Sequence, residues 1–343
     1  MRLHIIAAAA ATLALALGPG CQNLAAAAET VLRVANWVPP THLIVRDILT
    51  PWADQVAQVT QGRVRLEILA SPLGKPQAHF DIARDGLADI AYGVHGYTPG
   101  RFVLPQLVEL PFLGTSAEAL SVALWRVHSQ FLAPADEYRE VKLLTLWTHG
   151  PGHIFTSKAP IQTVADFQGL KFRVGGGLIG KIAEVLGTVP VPSPSTQAYE
   201  LLSNGVADGI FFPLESVAFF NLTKLVPNAT LVPGGLYSSS FFLIANQANW
   251  QKLDAADRAA IEAISGEALA RKAGQAWDAE DRRGLEALRQ SGGTIAEASP
   301  EMQRELSERL AFLEGDWIAA AAGRGVDGAA ALAALRAEIA KAR

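Results

Sequence analysis

Two stretches of this chain echo one another 119 residues apart, and that echo constrains the fold more than any other feature. AHFDIARDGLADI (78–90) and QAYELLSNGVADGI (197–210) match Phe80 with Tyr199, Ile82 with Leu201, Gly86 with Gly205 and Asp89 with Asp208. In each, an amphipathic helix ends on glycine, the residue that best accepts the left-handed conformation at a helix C-terminus, and the chain enters an apolar strand through Ala-Asp. The spacing predicts two lobes built on one βαβ theme. The surrounding pattern agrees. VLRVANW (31–37) and RVRLEIL (63–69) read as strands flanking a helix, TPWADQVAQVTQ (50–61), whose apolar face carries Trp52, Val56 and Val59 and which ends at Gly62; LADIAYG (87–93) reads as a third strand. Such alternation gives a parallel sheet with helices on both faces. It restarts with strands HIFTS (153–157) and LKFRV (170–174), the helix LIGKIAEVLG (178–187) and the strand TVPVP (188–192). Beyond about residue 245 only helices are expected, with Asp254 as an N-cap, a long amphipathic run to Gln290 and a later helix from Ser299-Pro300.

The N-terminus sets the compartment. After Arg2, residues 5–17 are apolar except for Thr12, and the tract AAAA follows at 25–28. That run is too short to cross a bilayer, which takes about 20 residues, and has the form of a secretory signal peptide over 1–28. A second route, lipidation at Cys21, fits less well because Gly18 stands where such signals carry leucine. Cleavage after Ala28 would remove the chain's single cysteine and leave 315 residues with a formal charge of −5. A chain of that size is expected to divide into two domains. Its mild acidity, with no basic cluster, excludes a nucleic-acid binder, and no second apolar run is long enough to span a membrane.

Residues 175–181 fit G-x-x-x-x-G-K, the first seven positions of a phosphate-binding loop, but the eighth, which needs a hydroxyl, is Ile182. An exported protein also meets little ATP. Enzyme signatures are equally incomplete, since the sequence has no G-x-S-x-G elbow and no H-E-x-x-H helix, and its histidines are scattered. No metal, cofactor or catalytic residue is expected. The run DAEDRR (278–283) alternates in sign and reads as a solvated helix face, and Lys171 and Lys181 read as solvated charges.

In order and spacing, GRVRLEILASPLGKPQ, GLADIAYG, GYTPGRF, VELPFL (108–113), DFQGLKFRV and LLSNGVADG resemble the DctP-type substrate-binding proteins of TRAP (tripartite ATP-independent periplasmic) transporters. The resemblance covers nearly all of the chain after residue 28. It implies an α/β, two-lobed periplasmic binding protein of type II-like form, each lobe a mainly parallel sheet flanked by helices, with a long helix bracing both. The lobes would be 29–147 with 233–265 and 148–232 with 266–343, hinged near Thr145–Thr148, Leu231–Gly234 and the helix after Asp254. The implied work is capture of a small organic acid and its delivery to membrane permease subunits by a soluble, periplasmic monomer, without catalysis. An exported α/β enzyme acting on a carboxylate is the alternative of another class.

The strand Leu170–Val174 places Lys171 and Arg173 on one face and Leu170, Phe172 and Val174 on the other. Arg173 stands at the strand's C-terminal end, where open α/β sheets hold ligands, and a guanidinium offers a planar fork of donors suited to a carboxylate. The resemblance makes Arg173 the carboxylate clamp. It also puts His153 where acidic-sugar binders carry a second arginine, and Phe212 where they carry asparagine. Both departures point away from a sugar acid and towards an aromatic or otherwise hydrophobic carboxylate, with a C4-dicarboxylate or 2-oxo acid as the alternative. Trp37 and Tyr237 are expected as aromatic walls, and His149 and His95, each beside a glycine after a strand, as rim residues.

Overall fold

The computed structural model describes residues 29–341; the apolar leader and Cys21 lie outside the described residues. Strands β1 (Thr30–Ala35), β2 (Val64–Ile68), β3 (Ile90–Val94), β4 (Val141–Thr148) and β10 (Ser240–Asn246) form one sheet in the order β2-β1-β3-β10-β4. The other comprises β5 (His153–Thr156), β6 (Lys171–Val174), β7 (Val189–Pro192), β8 (Gly209–Phe212), β9 (Asn228–Leu231) and β11 (Thr294–Glu297), in the order β11-β9-β5-β8-β6-β7. Each sheet joins three parallel strands, β2-β1-β3 or β7-β6-β8, to an antiparallel neighbour, β10 or β5. Both sheets are therefore mixed, because the chain crosses between lobes at β4–β5 and β9–β10 and returns with its direction reversed.

The echo is a structural equivalence. Gly86 and Gly205 have φ of 74° and 67°, the left-handed conformation that glycine adopts without steric cost. The Arg33 N–H donates to Asp89 Oδ2 at 2.7 Å and the Lys171 N–H to Asp208 Oδ2 at 3.0 Å, so each aspartate hooks the adjacent parallel strand, β1 or β6.

The helical tail departs from the expected pattern in three respects. The run from Asp254 to Gln290 breaks into Ala255–Ile264 and Gly266–Gln290, because Ser265 is extended and Gly266 has φ of 51°. The tail is also not purely helical, since β11 pairs in parallel with β9 through Ile295 and its neighbours. Asp254 precedes a helix but makes no side-chain cap, whereas Ser299 accepts from the Met302 N–H at 3.1 Å as an N-cap should.

The long helix Gly266–Gln290 contacts both lobes, and its glycines show how. A Cβ on Gly274 would sit 2.4 Å from Glu118 Cα, at the start of the first-lobe helix Ala117–Val127. One on Gly284 would sit 2.3 Å from the Leu214 carbonyl oxygen, at the start of the second-lobe helix Leu214–Phe219. Between them two aspartates cap those same helices. Asp278 accepts from the Ser116 hydroxyl and the Ala117 N–H at 2.7 and 2.6 Å, and Asp281 Oδ1 accepts from the Glu215 N–H at 2.8 Å. DAEDRR is thus not a uniformly solvated face; its aspartates turn inward and its arginines outward.

Candidate functional site

The C-terminal ends of the parallel strands of both sheets face one cleft, whose atom-free space of about 460 Å³ is partly open to solvent. β6 supplies its charge. Phe172 and Val174 point into the second lobe's core, so the pleat turns Arg173 the opposite way, into the cavity lining, where it is only 2% exposed. Its Nη2 donates to the Ser193 carbonyl oxygen and its Nε to Ser193 Oγ at 3.3 Å. The guanidinium carbon stands 4.7 Å from the centre of the Phe212 ring. Among the described residues, Nη1 has no hydrogen-bond partner and no carboxylate lies within 4.0 Å of this guanidinium. A buried, uncompensated cation costs several kcal/mol, and a bound anion would offset that cost.

The walls are aromatic. Phe212 stacks on Phe220 with centroids 6.0 Å apart, Trp37 stacks on Tyr92 at 5.5 Å and meets Tyr97 edge-on at 6.0 Å, and Phe241 and Trp277 pack 5.9 Å apart. Tyr237 lies flat over Gly152, where a Cβ would stand 2.1 Å from its ring. His149 meets Tyr237 edge-on at 5.5 Å; its Nδ1–H donates to the Gly150 carbonyl oxygen. Burial holds the imidazole down at about 4, and Arg173 pushes it the same way, so the ring is neutral at physiological pH. Burial likewise raises the Tyr237 hydroxyl. Two indole N–H groups of the lining, Trp37 Nε1 and Trp277 Nε1, are buried without a partner.

Five of the seven residues named from the sequence line this cavity: Trp37, His149, Arg173, Phe212 and Tyr237. The other two do not. His95 is no rim residue, since it is enclosed in the first lobe between Ser240 Oγ at 2.8 Å and Tyr138 OH at 2.5 Å and packs on Phe102. His153 lies beside Phe212 in the β5–β8 ladder, but its Nδ1 accepts from the Val232 N–H at 3.1 Å and its ring is outside the lining. Lys181 is half-exposed and pairs with Asp316.

The sequence reading missed His42, Tyr97, Ser216 and Trp277, all of which line the cavity. Tyr97 and the glycine run explain one another. The Ser195 N–H donates to Tyr97 OH at 2.9 Å, across the lobes, and the neighbouring turn lies against Gly175–Gly177. Gly176 has φ of 84°, and a Cβ on it would stand 2.7 Å from the Gly96 carbonyl oxygen. The run that mimics a phosphate loop is the seat on which the lobes meet. His42, from the first lobe, faces Glu215, from the second, with Nε2 3.5 Å from Oε1. Burial lowers the imidazole and raises the carboxyl, which leaves both neutral. Among the described residues, no three His, Cys, Asp or Glu side chains are grouped to hold a metal, and no helix is long and apolar enough to cross a membrane.

The model for the DctP family, bacterial extracellular solute-binding protein family 7, matches residues 34–313. A TRAP periplasmic solute-binding protein from Bordetella bronchiseptica, solved with bound (R)- and (S)-mandelate, is 41% identical, covers 92% of this chain and 100% of its own, and superposes with a TM-score of 0.90. A marine-metagenome TRAP solute-binding protein specific for aromatic acids, solved with 3-hydroxybenzoate, is 35% identical over 92% of this chain and 99% of its own, with a TM-score of 0.85. The outer membrane transporter protein TsaT of Comamonas testosteroni is 34% identical over 97% of this chain and 96% of its own length.

Proposed function

The chain belongs to the DctP family of bacterial extracellular solute-binding proteins, and from that premise we propose that it captures an aromatic monocarboxylate between its lobes. The observation that carries this reading is Arg173, a buried guanidinium with no carboxylate partner among the described residues, set against Phe212 and roofed by rings from both lobes. The free Nη1 edge meets one carboxylate, and charge-assisted hydrogen bonds of this kind are about twice as strong as neutral ones. The ring of the acid then replaces water against Phe212, Trp37 and Phe220, worth about 25 cal/mol per Å² of apolar surface covered. A second carboxylate would face these rings without a cation, which disfavours succinate and its like. The mandelate and 3-hydroxybenzoate held by the two structural relatives are of the class this cavity suits.

In this reading the protein works in the periplasm as a single copy, after loss of residues 1–28, and releases the acid unchanged to its TRAP permease. Mass spectrometry of ligand released from purified protein, followed by calorimetric titration with benzoate, mandelate and succinate, tests it. An aromatic acid should be recovered and bind, and succinate should not. Tight binding of succinate alone would overturn the aromatic reading.

A further inference from the structure

The cavity has a second polar end, which the carboxylate clamp does not use. There His42, from the first lobe, and Ser216, from the helix Leu214–Phe219 of the second, line the cavity, and Glu215 of the same helix lies behind them, outside the lining. The two ends are built from different side chains, Arg173 of β6 at one and His42 and Ser216 at the other. Between them lie the stacked rings of Phe212 and Phe220, the first 4.7 Å from the guanidinium and the second 6.2 Å from the His42 ring. An aromatic acid anchored on Arg173 and lying along these rings turns its far edge towards His42 and Ser216.

That end has hydrogen-bonding capacity to spare. His42 Nδ1 accepts from the Ile44 N–H at 3.1 Å, so the neutral ring carries its proton on Nε2. Nε2 lies 3.5 Å from Glu215 Oε1, too far for a hydrogen bond of ordinary length. Ser216 Oγ lies 2.6 Å from Glu215 Oε2, which engages one of its three hydrogen-bonding positions. Resting on the aromatic-acid reading, we propose that His42 and Ser216 form a subsite for a ring hydroxyl, so that the protein selects hydroxylated aromatic monocarboxylates over unsubstituted ones. Glu215 is a positioning residue that holds Ser216 Oγ and lies beside His42. The subsite spans the lobes, so a hydroxyl bound there rewards closure.

The test is calorimetric titration of the purified protein with benzoate, 3-hydroxybenzoate and 4-hydroxybenzoate, read as the ratio of hydroxylated to unsubstituted affinity. One hydroxybenzoate should bind about tenfold or more tightly than benzoate, since a site built for a hydroxyl leaves polar groups unpaired when it is missing. Ser216→Ala should bring that ratio to within about threefold of one. His42→Asn, which can still accept from Ile44 but withdraws the Nε2 donor, should lower it too. A ratio near one in the wild type, or one that neither variant moves, overturns the subsite while leaving the aromatic-acid reading intact. If no aromatic acid binds at all, both fall.

Discussion

Arg173 is charged, nearly inaccessible and without a counter-ion among the described residues, a combination that a fold does not sustain for stability alone. Its removal should therefore be felt in binding more than in folding. Arg173→Ala is expected to weaken the cognate acid by about 2–5 kcal/mol, roughly 30-fold to several thousand-fold, the usual effect of truncating one partner of a buried charge pair. Arg173→Lys should be almost as damaging, because an ammonium cannot hold Ser193 and a carboxylate in one plane. Titration calorimetry reads both, and unchanged affinity in the alanine variant would remove Arg173 from the site. The sequence made this residue legible because a strand's pleat fixes which side chains share a face. It made Trp37, His149, Phe212 and Tyr237 legible for a related reason: the first three stand at or just beyond a strand's C-terminal end and Tyr237 shortly before β10, on the cleft side. Histidine type alone misled at His95 and His153. His95 follows β3 and His153 opens β5, but partners distant in sequence, Tyr138 for one and Val232 for the other, engage their ring nitrogens. His42 and Ser216 lay hidden because their place in the cleft depends on packing between lobes, for which the sequence carries no periodic signal.

At the scale of elements, the pieces with strong periodicity were the readable ones. The helix over 50–61 is observed at Thr50–Val59, and the strands near 64, 90, 171 and 189 lie within a few residues of their expected bounds. β11 was not readable, since TIAE is short and mostly exposed and is a strand only because β9 offers it a free edge. The break at Ser265–Gly266 was also hidden, because the apolar pattern runs on while the backbone turns. A Cβ on Gly266 would stand 2.9 Å from Trp125. The long helix shows how one element serves two lobes, with Gly274 and Asp278 fitted to the first and Gly284 and Asp281 to the second. Its glycines are thus fitting surfaces rather than weak points. Gly284→Ala should destabilise the protein by about 1–3 kcal/mol in urea denaturation, because the new Cβ meets the rigid Leu214 carbonyl. Gly315→Ala is the control: it is mid-helix with open space around it, and should instead stabilise by about 0.5–1 kcal/mol. Equal effects at the two sites would mean that helix propensity, not the fit to the second lobe, governs Gly284.

For the whole molecule the cleft is a joint between two packed bodies, and its state is set where Gly176 meets Gly96 and Ser195 meets Tyr97. Gly176→Ala adds a methyl 2.7 Å from a carbonyl oxygen at a φ of 84°, so it should hold the lobes apart without touching the ligand's contacts. Small-angle scattering should show wild type contracting with ligand and this variant contracting less; identical contraction would place the joint elsewhere. The buried titratable groups make a second statement about the closed form, with two opposing signs. Burial holds six histidines below their ordinary 6.5: His42 and His95 at about 3, and His79, His128, His149 and His153 at about 4. The unfolded chain takes up their protons first as pH falls, so stability is lost on acidification from 6.5 towards 4. Burial pushes Glu109 and Asp281 up to about 7 and Glu215 up to about 8, with Glu137 moved in the same direction. For these the folded state keeps protons that the unfolded state has released, so stability is lost as pH rises towards 8. Below 6.5 the histidines outnumber the acids, and above it the acids act alone. Each proton of difference changes stability by about 1.4 kcal/mol per pH unit. The ligand-free protein should therefore melt highest near about pH 6–6.5, with the acid limb the steeper. Glu215→Gln, which cannot ionise, should flatten the alkaline limb. Differential scanning calorimetry from pH 4 to 9 decides it. A melting temperature that climbs steadily from pH 6 to 9 would mean that these carboxyls are ionised in the fold, and that Glu215 meets His42 as an anion.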